Sequence, residues 1–177
     1  PYYSPSSANS CPRELYMKAI GAKKDAFPKP PHQGRWQSVG TKIGDIIQRD
    51  LLYAERNLKT RFRFEKDTQG RPMFEDFAKT NKPVTHEGHS FYLFGLPDGI
   101  MEYTQDDGTV LRIGLEVKSK QTTSARTSLY SMREPDAKHV KQTIAYSEMY
   151  GVDHFIILYV NASKKGWVIS EEDAIKT

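Results

Sequence analysis

Cysteine is nearly absent from this sequence, whose 177 residues include only Cys11. A single cysteine cannot close a disulfide within the chain, and a lack of disulfides is typical of a reducing compartment. No apolar run approaches the roughly 20 residues that a membrane-spanning helix needs. The first residues contain no basic segment followed by an apolar one, so we expect no signal peptide and a cytoplasmic location.

A strong charge imbalance is also missing. Lys and Arg number 26 and Asp and Glu 22, so the formal net charge is +4, which favours a polyanionic partner without requiring one. Hydrophobic residues make up 37% and charged residues 27%, as in a globular protein. The length predicts a single domain. We expect residues 1–37 to form an N-terminal helix and loop and residues 38–177 to form the core.

Three stretches have the signals of helices. Pro12 near the start and Gly21 as a stop predict a short helix between them. Apolar residues at helical spacing predict a second helix from about Ser38 to Tyr53. The Pro- and Lys-rich residues 22–35 before it predict a loop. A third helix is predicted over residues 137–150.

Strands are predicted on both sides of the third helix. Alternation of Phe with Arg predicts a strand around residues 62–64, and the apolar residues 154–160 predict a buried central strand. Residues 167–169 predict a last strand and residues 170–173 the start of another helix, whereas residues 72–90 predict a loop. The order of these elements predicts an α/β fold with a mixed sheet and helices on its faces.

The stretch from Phe91 to Lys118 holds the most informative side chains. Two apolar runs flank an Asp-Gly turn, which is a hairpin signal. Asp98 lies in the first run, and Glu116 and Lys118 end the second. Residues two apart on a strand share a face, so Glu116 and Lys118 point the same way, and strand pairing would bring Asp98 close to Glu116. Two carboxylates and an ammonium group could hold a divalent cation beside a phosphate.

Three short motifs follow one another in a set order: Gly95-x-x-Asp98, Glu116-x-Lys118 and Gln142-x-x-x-Tyr146. Their ordered combination resembles the PD-(D/E)XK nuclease superfamily, and within it the RecB-like branch of CRISPR-associated nucleases and phage exonucleases. The resemblance spans about residues 4–160. It implies a restriction-endonuclease-like core, in which helices flank a central mixed β-sheet.

The resemblance also implies an activity, namely Mg²⁺- or Mn²⁺-dependent hydrolysis of DNA phosphodiester bonds. It implies an exonuclease acting on DNA ends or single strands, in recombination, repair or phage DNA processing, in a bacterial or phage-infected cell. Asp98, Glu116 and the main-chain carbonyl of Val117 would hold the metal, because these cations prefer hard oxygen ligands. Lys118 would hold or help to deprotonate the attacking water and offset charge on the phosphate.

Gln142 and Tyr146 are expected to complete this catalytic site. They lie four apart on the predicted third helix and therefore share one of its faces. We expect Val140 and Ile144 to take the core, which would leave Gln142 and Tyr146 toward the cleft. There Gln142 could brace Lys118 or a metal-bound water, and Tyr146 could donate to a phosphate or stack on an unpaired base.

The chain departs from the family pattern at two points. RecB-like nucleases often have Gly-x-x-x-His in the second helix, where the His binds metal, but this chain has Gly40 and Gly44. Asp45 or Gln48 is the candidate substitute, directly or through water; the alternative is a solvated Asp45. CRISPR-associated members usually hold an iron–sulfur cluster on four cysteines, and Cys11 alone predicts no such cluster.

DNA is the expected partner, with a recombination or replication protein as a further candidate. Basic residues of the first helix and of the segment after Lys118 are predicted to contact the DNA backbone: Arg13, Lys120, Arg126 and Arg133. An ordinary solvated loop is the alternative for that segment. Three other interpretations stay open for the whole site, namely a surface cluster of salt bridges, a non-catalytic DNA-binding or assembly module, and a structure-selective endonuclease.

Overall fold

The computed structural model describes residues 1–23, 28, 30–120 and 131–162. Within these residues the helices are α1 (Pro12–Ala19), α2 (Pro31–Asn57) and α3 (Ala137–Tyr150). The strands are β1 (Tyr2–Tyr3), β2 (Phe62–Phe64), β3 (Thr80–His86), β4 (His89–Gly95), β5 (Gly99–Thr104), β6 (Val110–Lys120) and β7 (His154–Asn161). Short 3₁₀ turns cover Pro5–Ser7 and Glu75–Ala78. None of the helices in this part of the chain has the length and apolarity to cross a membrane.

The strands divide into two mixed sheets. The four-stranded sheet has the order β2-β5-β6-β7, with β6 and β7 parallel and the other neighbours antiparallel. The three-stranded sheet has the order β1-β4-β3, with β1 parallel to β4 and β3 antiparallel to it. Helices flank these sheets, which confirms the predicted α/β class. The separation into two sheets was not predicted.

The hydrophobic core lies between α2 and the four-stranded sheet. Phe64, Met101 and Leu115 are buried together, and Leu51 and Leu52 of α2 pack against them. Burial of such side chains is the main favourable term in folding. It holds α2 across the sheet, and the backbone of this helix therefore passes close to the C-terminal end of β6.

Helix α3 begins and ends where the sequence predicts. The Asp136 side chain caps its first turn by accepting from the Lys138 backbone N–H, and Gly151 ends it with φ 62°, a left-handed conformation that favours glycine. The predicted core face is wrong, because Ile144 is 62% exposed whereas Gln142 and other residues of the opposite stripe are buried. Packing against the 3₁₀ turn at residues 5–7, β6 and β7 decides which stripe is covered.

Helix α2 is longer than predicted, and the prediction of a loop over all of residues 22–35 is wrong for its last part. The helix begins at Pro31. Proline fits the first helical position, because its missing N–H would have no partner there. The short helix predicted between Pro12 and Gly21 is confirmed, and Gly21 follows it with φ 69°.

A hairpin replaces most of the loop predicted over residues 72–90. Strands β3 and β4 pair antiparallel and are joined by Glu87 and Gly88, which both have positive φ. This is the geometry of a two-residue type I′ turn, which normally carries Asn, Asp or Gly at both positions. The hairpin was not predicted because Glu87 is an unusual residue for this turn and Pro83 is an unusual residue for the inside of a strand. Pro83 is tolerated because β3 is an edge strand.

Strand β7 is confirmed as a strand, but not as a buried central one. Among the described strands it lies at the edge of its sheet, and Ile156 is 49% exposed. The strand predicted over residues 167–169 and the helix start over residues 170–173 lie outside the described residues.

Gly114→Ala should destabilise the fold. A Cβ atom at Gly114 of β6 would overlap the ring of Phe155, which stacks on Tyr146 with ring centroids 6.5 Å apart. Displacing that ring should lower the free energy of unfolding by about 1–3 kcal/mol, as measured by urea denaturation. As a control, Gly34→Ala in α2 meets nothing within 4 Å and should be neutral or stabilising. Equal stability of Gly114→Ala and the parent would contradict the packing described.

Candidate active site

The candidate site forms where the pairing of β5 with β6 ends. The last pair of that ladder is Gly99 with Leu115, so the next residues outward, Asp98 and Glu116, lie opposite each other. The Val117 N–H donates to Asp98 Oδ2 at 2.6 Å. The structure thus brings Asp98 beside the Glu-x-Lys segment, as the hairpin signal predicted.

Pro97 leaves part of β6 open at this point. The Ile100 N–H donates to the Met73 carbonyl, and the Ile100 carbonyl accepts from the Glu65 N–H, so both groups point away from β6. Backbone groups of neighbouring residues on a strand point in opposite directions, so those of Gly99 point toward β6. The next bonding partner for Val117 would be Pro97, which has no N–H to donate. The Val117 carbonyl therefore points to the Asp98 side of β6 and receives no ladder hydrogen bond from Pro97, which is where a main-chain metal ligand is expected.

Three side chains form a closed hydrogen-bonded network next to Asp98. Lys118 Nζ lies 2.5 Å from Glu116 Oε1 and donates to Gln142 Oε1 at 3.0 Å. Gln142 Nε2 donates to the same Glu116 oxygen at 2.8 Å. Glu116 is only 3% exposed, so its ion pair with Lys118 is buried and does not lie at the surface.

Burial dominates the electrostatics of the two carboxyl groups. Burial and then the nearby Asp98 raise the pKa of Glu116 to about 7, against the opposing effects of Lys118 and Gln142. Burial also raises the pKa of Asp98, against the Val117 N–H and Lys118. When both carboxyl groups are ionised, two carboxylates with one ammonium carry a net negative charge in a poorly solvated place. Such a place favours an additional cation.

The donor set fits a hard divalent cation. In the described part of the chain, the contacts of Asp98 use Oδ2 and those of Glu116 use Oε1, so each carboxylate keeps an oxygen for another partner. No cluster of three or more His, Cys, Asp or Glu side chains occurs among these residues. Two carboxylates, the Val117 carbonyl and water molecules form the kind of sparse oxygen set that Mg²⁺ accepts.

A cleft of about 470 Å³ opens beside Asp98. One of its walls is α2, which contributes Gly40, Gly44, Asp45 and Gln48, and Val117 lines the other side. A Cβ atom at Gly40 would come within 3.3 Å of a Ser119 side-chain oxygen, whereas one at Gly44 would meet nothing within 4 Å. The cleft therefore has free space at Gly44, the position at which RecB-like nucleases often have a histidine.

Neither candidate substitute for that histidine contacts the carboxylate of Asp98. Asp45 lines the cleft and lies 3.2 Å from Lys42 Nζ. Gln48 is buried, and its Nε2 donates to the main-chain carbonyl of Asp98 at 2.8 Å. Gln48 thus positions the backbone that carries the carboxylate, a contact that sequence reasoning missed because a helical glutamine gives no signal for a partner fifty residues away.

Tyr146 belongs to the site in a different way from the one predicted. It is buried, and its hydroxyl donates to the main-chain carbonyl of Leu96 at 2.5 Å, so the predicted stacking on a base or donation to a phosphate is wrong. The hydroxyl of Tyr150, one turn later, lies 2.5 Å from the carbonyl oxygen of Ala78 and 3.0 Å from that of Gly95. The two tyrosines anchor the segment that leads to Asp98. The spacing of Tyr150 from Tyr146 was the available signal for its role.

The predicted DNA contacts are only partly near the site. Lys120 follows Lys118 on the same face of β6, and its Nζ lies 4.6 Å from the centre of the Tyr159 ring. Arg133 lines a groove of about 310 Å³ that also includes Tyr159. Arg13 lies on α1 and lines a groove of about 650 Å³ around that helix, not the cleft. Arg126 lies outside the described residues.

His139 joins this neighbourhood, although no motif pointed to it. Its Nδ1 lies 2.8 Å from the Tyr159 hydroxyl, which also accepts from the Asp136 backbone N–H at 2.9 Å. Burial, and to a smaller extent the charge of Lys118, lowers the pKa of His139 to about 4. The imidazole is therefore neutral and lies beside the lysine of the Glu-x-Lys motif.

Comparison with known proteins does not identify a family. No protein-family model matches the sequence, and no curated protein matches it either. The fold is similar to that of the crystal structure of SSO0001, with a TM-score of 0.49 and 15% sequence identity. That similarity covers 91% of this chain and 63% of the other, so the chain spans less than two thirds of its length. A similarity this low does not identify an activity.

Glu116 should make folding stability depend on pH. Its folded pKa of about 7 lies above the ordinary value of 4.5, so the folded state binds the proton more tightly than the unfolded state does. The stability this group contributes is therefore present below pH 4.5 and is lost as pH rises toward 7. We therefore expect the unfolding free energy of the parent minus that of Glu116→Gln to fall by on the order of 3 kcal/mol as pH rises from 4.5 to 7.

Urea denaturation of both proteins in EDTA, between pH 4.5 and 8, measures this difference. Glu87→Gln, which alters an exposed side chain, is the matched control and should follow the parent. A difference between parent and Glu116→Gln that does not change with pH would contradict the electrostatics described.

Proposed function

We propose that this chain is a metal-dependent deoxyribonuclease that hydrolyses phosphodiester bonds. The observation that carries the proposal is the meeting of half-buried Asp98 and buried Glu116 with Lys118 and Gln142, next to an open cleft that Asp98 and Val117 line. Burying two carboxylates destabilises a fold unless something compensates for it. A binding module has no need of that cost, so this arrangement favours the catalytic interpretation over a non-catalytic module.

Asp98, Glu116 and the Val117 carbonyl would hold Mg²⁺ or Mn²⁺. When bound, such an ion neutralises phosphate charge and lowers the pKa of a coordinated water. Lys118 keeps its ammonium next to Glu116 Oε1, where it can orient an attacking water and offset charge on the phosphate. Gln142 is a positioning residue, because it bonds both Glu116 and Lys118 and thereby holds their separation.

DNA is proposed as the substrate from charge and from the resemblance in motifs. The net charge of +4 favours a polyanion, and Lys120 extends the face of β6 that carries Glu116 and Lys118. Exonucleolytic action on ends or single strands is the leading form of the proposal. A structure-selective endonuclease remains the alternative, and the first experiment below separates the two.

Glu116→Gln, Asp98→Asn and Lys118→Ala should each abolish cleavage. The first two remove a charge that holds the cation, and the third removes the ammonium beside it. The measurement is digestion of linear and circular DNA side by side, with Mn²⁺ and with EDTA. An exonuclease should cut only linear DNA, and EDTA should stop all cleavage.

Lys66→Ala is the matched control, because Lys66 is also ion-paired, with Glu55 at 2.7 Å, but lies away from the cleft. It should cut DNA at the parent rate. Full activity of a folded Glu116→Gln or Lys118→Ala protein would remove these residues from the mechanism. Metal-independent DNA binding without cleavage would instead identify the non-catalytic module.

Gln142→Ala should slow cleavage by roughly 10- to 1000-fold, the scale of losing a positioned polar contact. It should also weaken metal binding more at pH 7 than at pH 8.5. The Gln142 hydrogen bond lowers the pKa of Glu116, so its loss raises that pKa, and Glu116 must be deprotonated to bind a cation. The measurement is the Mn²⁺ concentration that gives half-maximal rate at each pH.

Tyr150→Phe is the contrasting variant, because its hydroxyl bonds to the main-chain carbonyls of Ala78 and Gly95 and not to Glu116 or Gln142. It should slow cleavage by a similar factor at both pH values. Tyr53→Phe, which alters an exposed residue of α2, should behave as the parent. A Gln142→Ala protein whose metal requirement changes no more with pH than that of the parent would show that Gln142 serves only folding.

A further inference from the structure

The three-stranded sheet has one covered and one open face. Phe91 and Leu93 of β4 point to the covered side, where Tyr3 packs edge-on against Phe91 with ring centroids 5.8 Å apart. The alternate residues, Tyr92 and Phe94, point the other way and are 41% and 40% exposed. Exposed aromatic rings in the middle strand of a sheet are unusual, because such rings are normally the first side chains to be buried.

These rings form one cluster on the open face. Tyr2 of β1 is paired in register with Tyr92, and the two rings stack with centroids 5.1 Å apart and planes inclined by 19°. Lys79 Nζ lies 5.2 Å from the centre of the Phe94 ring. Tyr2, Tyr92, Phe94 and Lys79 together are called the aromatic face below. It presents a stacked pair of tyrosine rings, a phenylalanine ring and an ammonium group side by side.

The charge of this sheet is of one sign. The strands β1, β3 and β4 contain no Asp or Glu, and their charged residue is Lys82. Lys82 of β3 is in register with Leu93 and is ion-paired with Glu148 of α3, so it belongs to the covered face. The lysine beside the open face is Lys79, next to Phe94. An aromatic surface whose own strands carry no carboxylates and that has a lysine at its border suits a ligand that combines flat rings with negative charge, and unpaired nucleotides are such a ligand.

The aromatic face leads directly to the candidate active site. After Gly95, the last residue of β4, the chain continues through Leu96 and Pro97 to Asp98, and these three line the cleft. Phe94 is four residues from Asp98, so their Cα atoms are at most roughly 14 Å apart. A strand lying on the aromatic face is therefore within reach of the carboxylates.

We propose that the aromatic face binds a single-stranded segment of DNA by stacking its bases on Phe94, Tyr92 and Tyr2. The segment is the unpaired strand that enters or leaves the cleft, and in this respect the inference rests on the proposed nuclease function. Stacking accepts every base, because each has a π-face. The aromatic face therefore contributes binding affinity without selecting a sequence. It makes single-stranded DNA the preferred substrate over an intact duplex.

Fluorescence anisotropy with a labelled single-stranded oligonucleotide, in EDTA so that no cleavage occurs, tests the proposal. Tyr92→Leu and Phe94→Leu keep an apolar side chain but remove the ring, and each should weaken binding by roughly 5- to 150-fold, as expected for the loss of one stacked base. Phe94→Trp should retain binding. Tyr53→Leu, at an exposed tyrosine of α2, is the control and should bind as the parent does.

Three outcomes would overturn the proposal. They are unchanged affinity of both Leu variants, equal loss in Phe94→Leu and Phe94→Trp, and a parent dimer that dissociates in the Leu variants while DNA affinity stays constant. The last outcome would identify a second copy of the chain as the occupant. Because binding is measured without metal, a parent that binds single strands through this face but does not cut DNA would refute only the nuclease function.

Discussion

The register between β5 and β6 is the constraint on which the candidate site depends. It sets Asp98 opposite Glu116 and allows the Val117 N–H to bond the Asp98 carboxylate at 2.6 Å. A slip of one residue would turn every side chain of β6 to the other face of the sheet. The hydrophobic residues of β6 resist that slip, because Leu115 is held in the core with Phe64 and Met101.

This register buries Glu116 and partly buries Asp98, and hydrogen bonds from two helices compensate for the lost contact with water. Gln142 of α3 bonds the Glu116 side chain, and Gln48 of α2 bonds the Asp98 backbone. Each glutamine is buried and places a neutral polar group where a second charge would be costly. The site is thus stabilised by neutral hydrogen-bond donors and one ammonium group. This leaves the carboxylates short of positive charge, as a cation-binding site requires.

The segment between the two sheets connects the site to the rest of the fold. Residues 95–98 leave β4 and enter β5. The Tyr146 hydroxyl donates to the carbonyl of Leu96, and the Tyr150 hydroxyl lies between the carbonyls of Ala78 and Gly95. This anchoring gives Asp98 a defined position although it lies outside any strand. It also ties the open face of the three-stranded sheet to the cleft, so that a ligand bound on one lies beside the other.

Local sequence determined much of this protein. The boundaries of α3, its Gly151 cap, the pairing of Asp98 with the Glu-x-Lys segment and the α/β class all follow from short-range chemistry, namely side-chain periodicity, turn residues and capping. The grouping of Gln142 with Glu116 followed from helical spacing and the order of the motifs.

Tertiary structure decided what those signals could not. Which stripe of α3 is buried depends on what packs against it, so Ile144 is exposed and Tyr146 is turned inward. The contact of Gln48 with Asp98 joins residues fifty positions apart, and no local pattern encodes such a contact. The exposure of Tyr92 and Phe94 likewise arises because β3 and β4 form a separate sheet that is covered on one side only, which depends on the placement of α3 and not on the strands themselves.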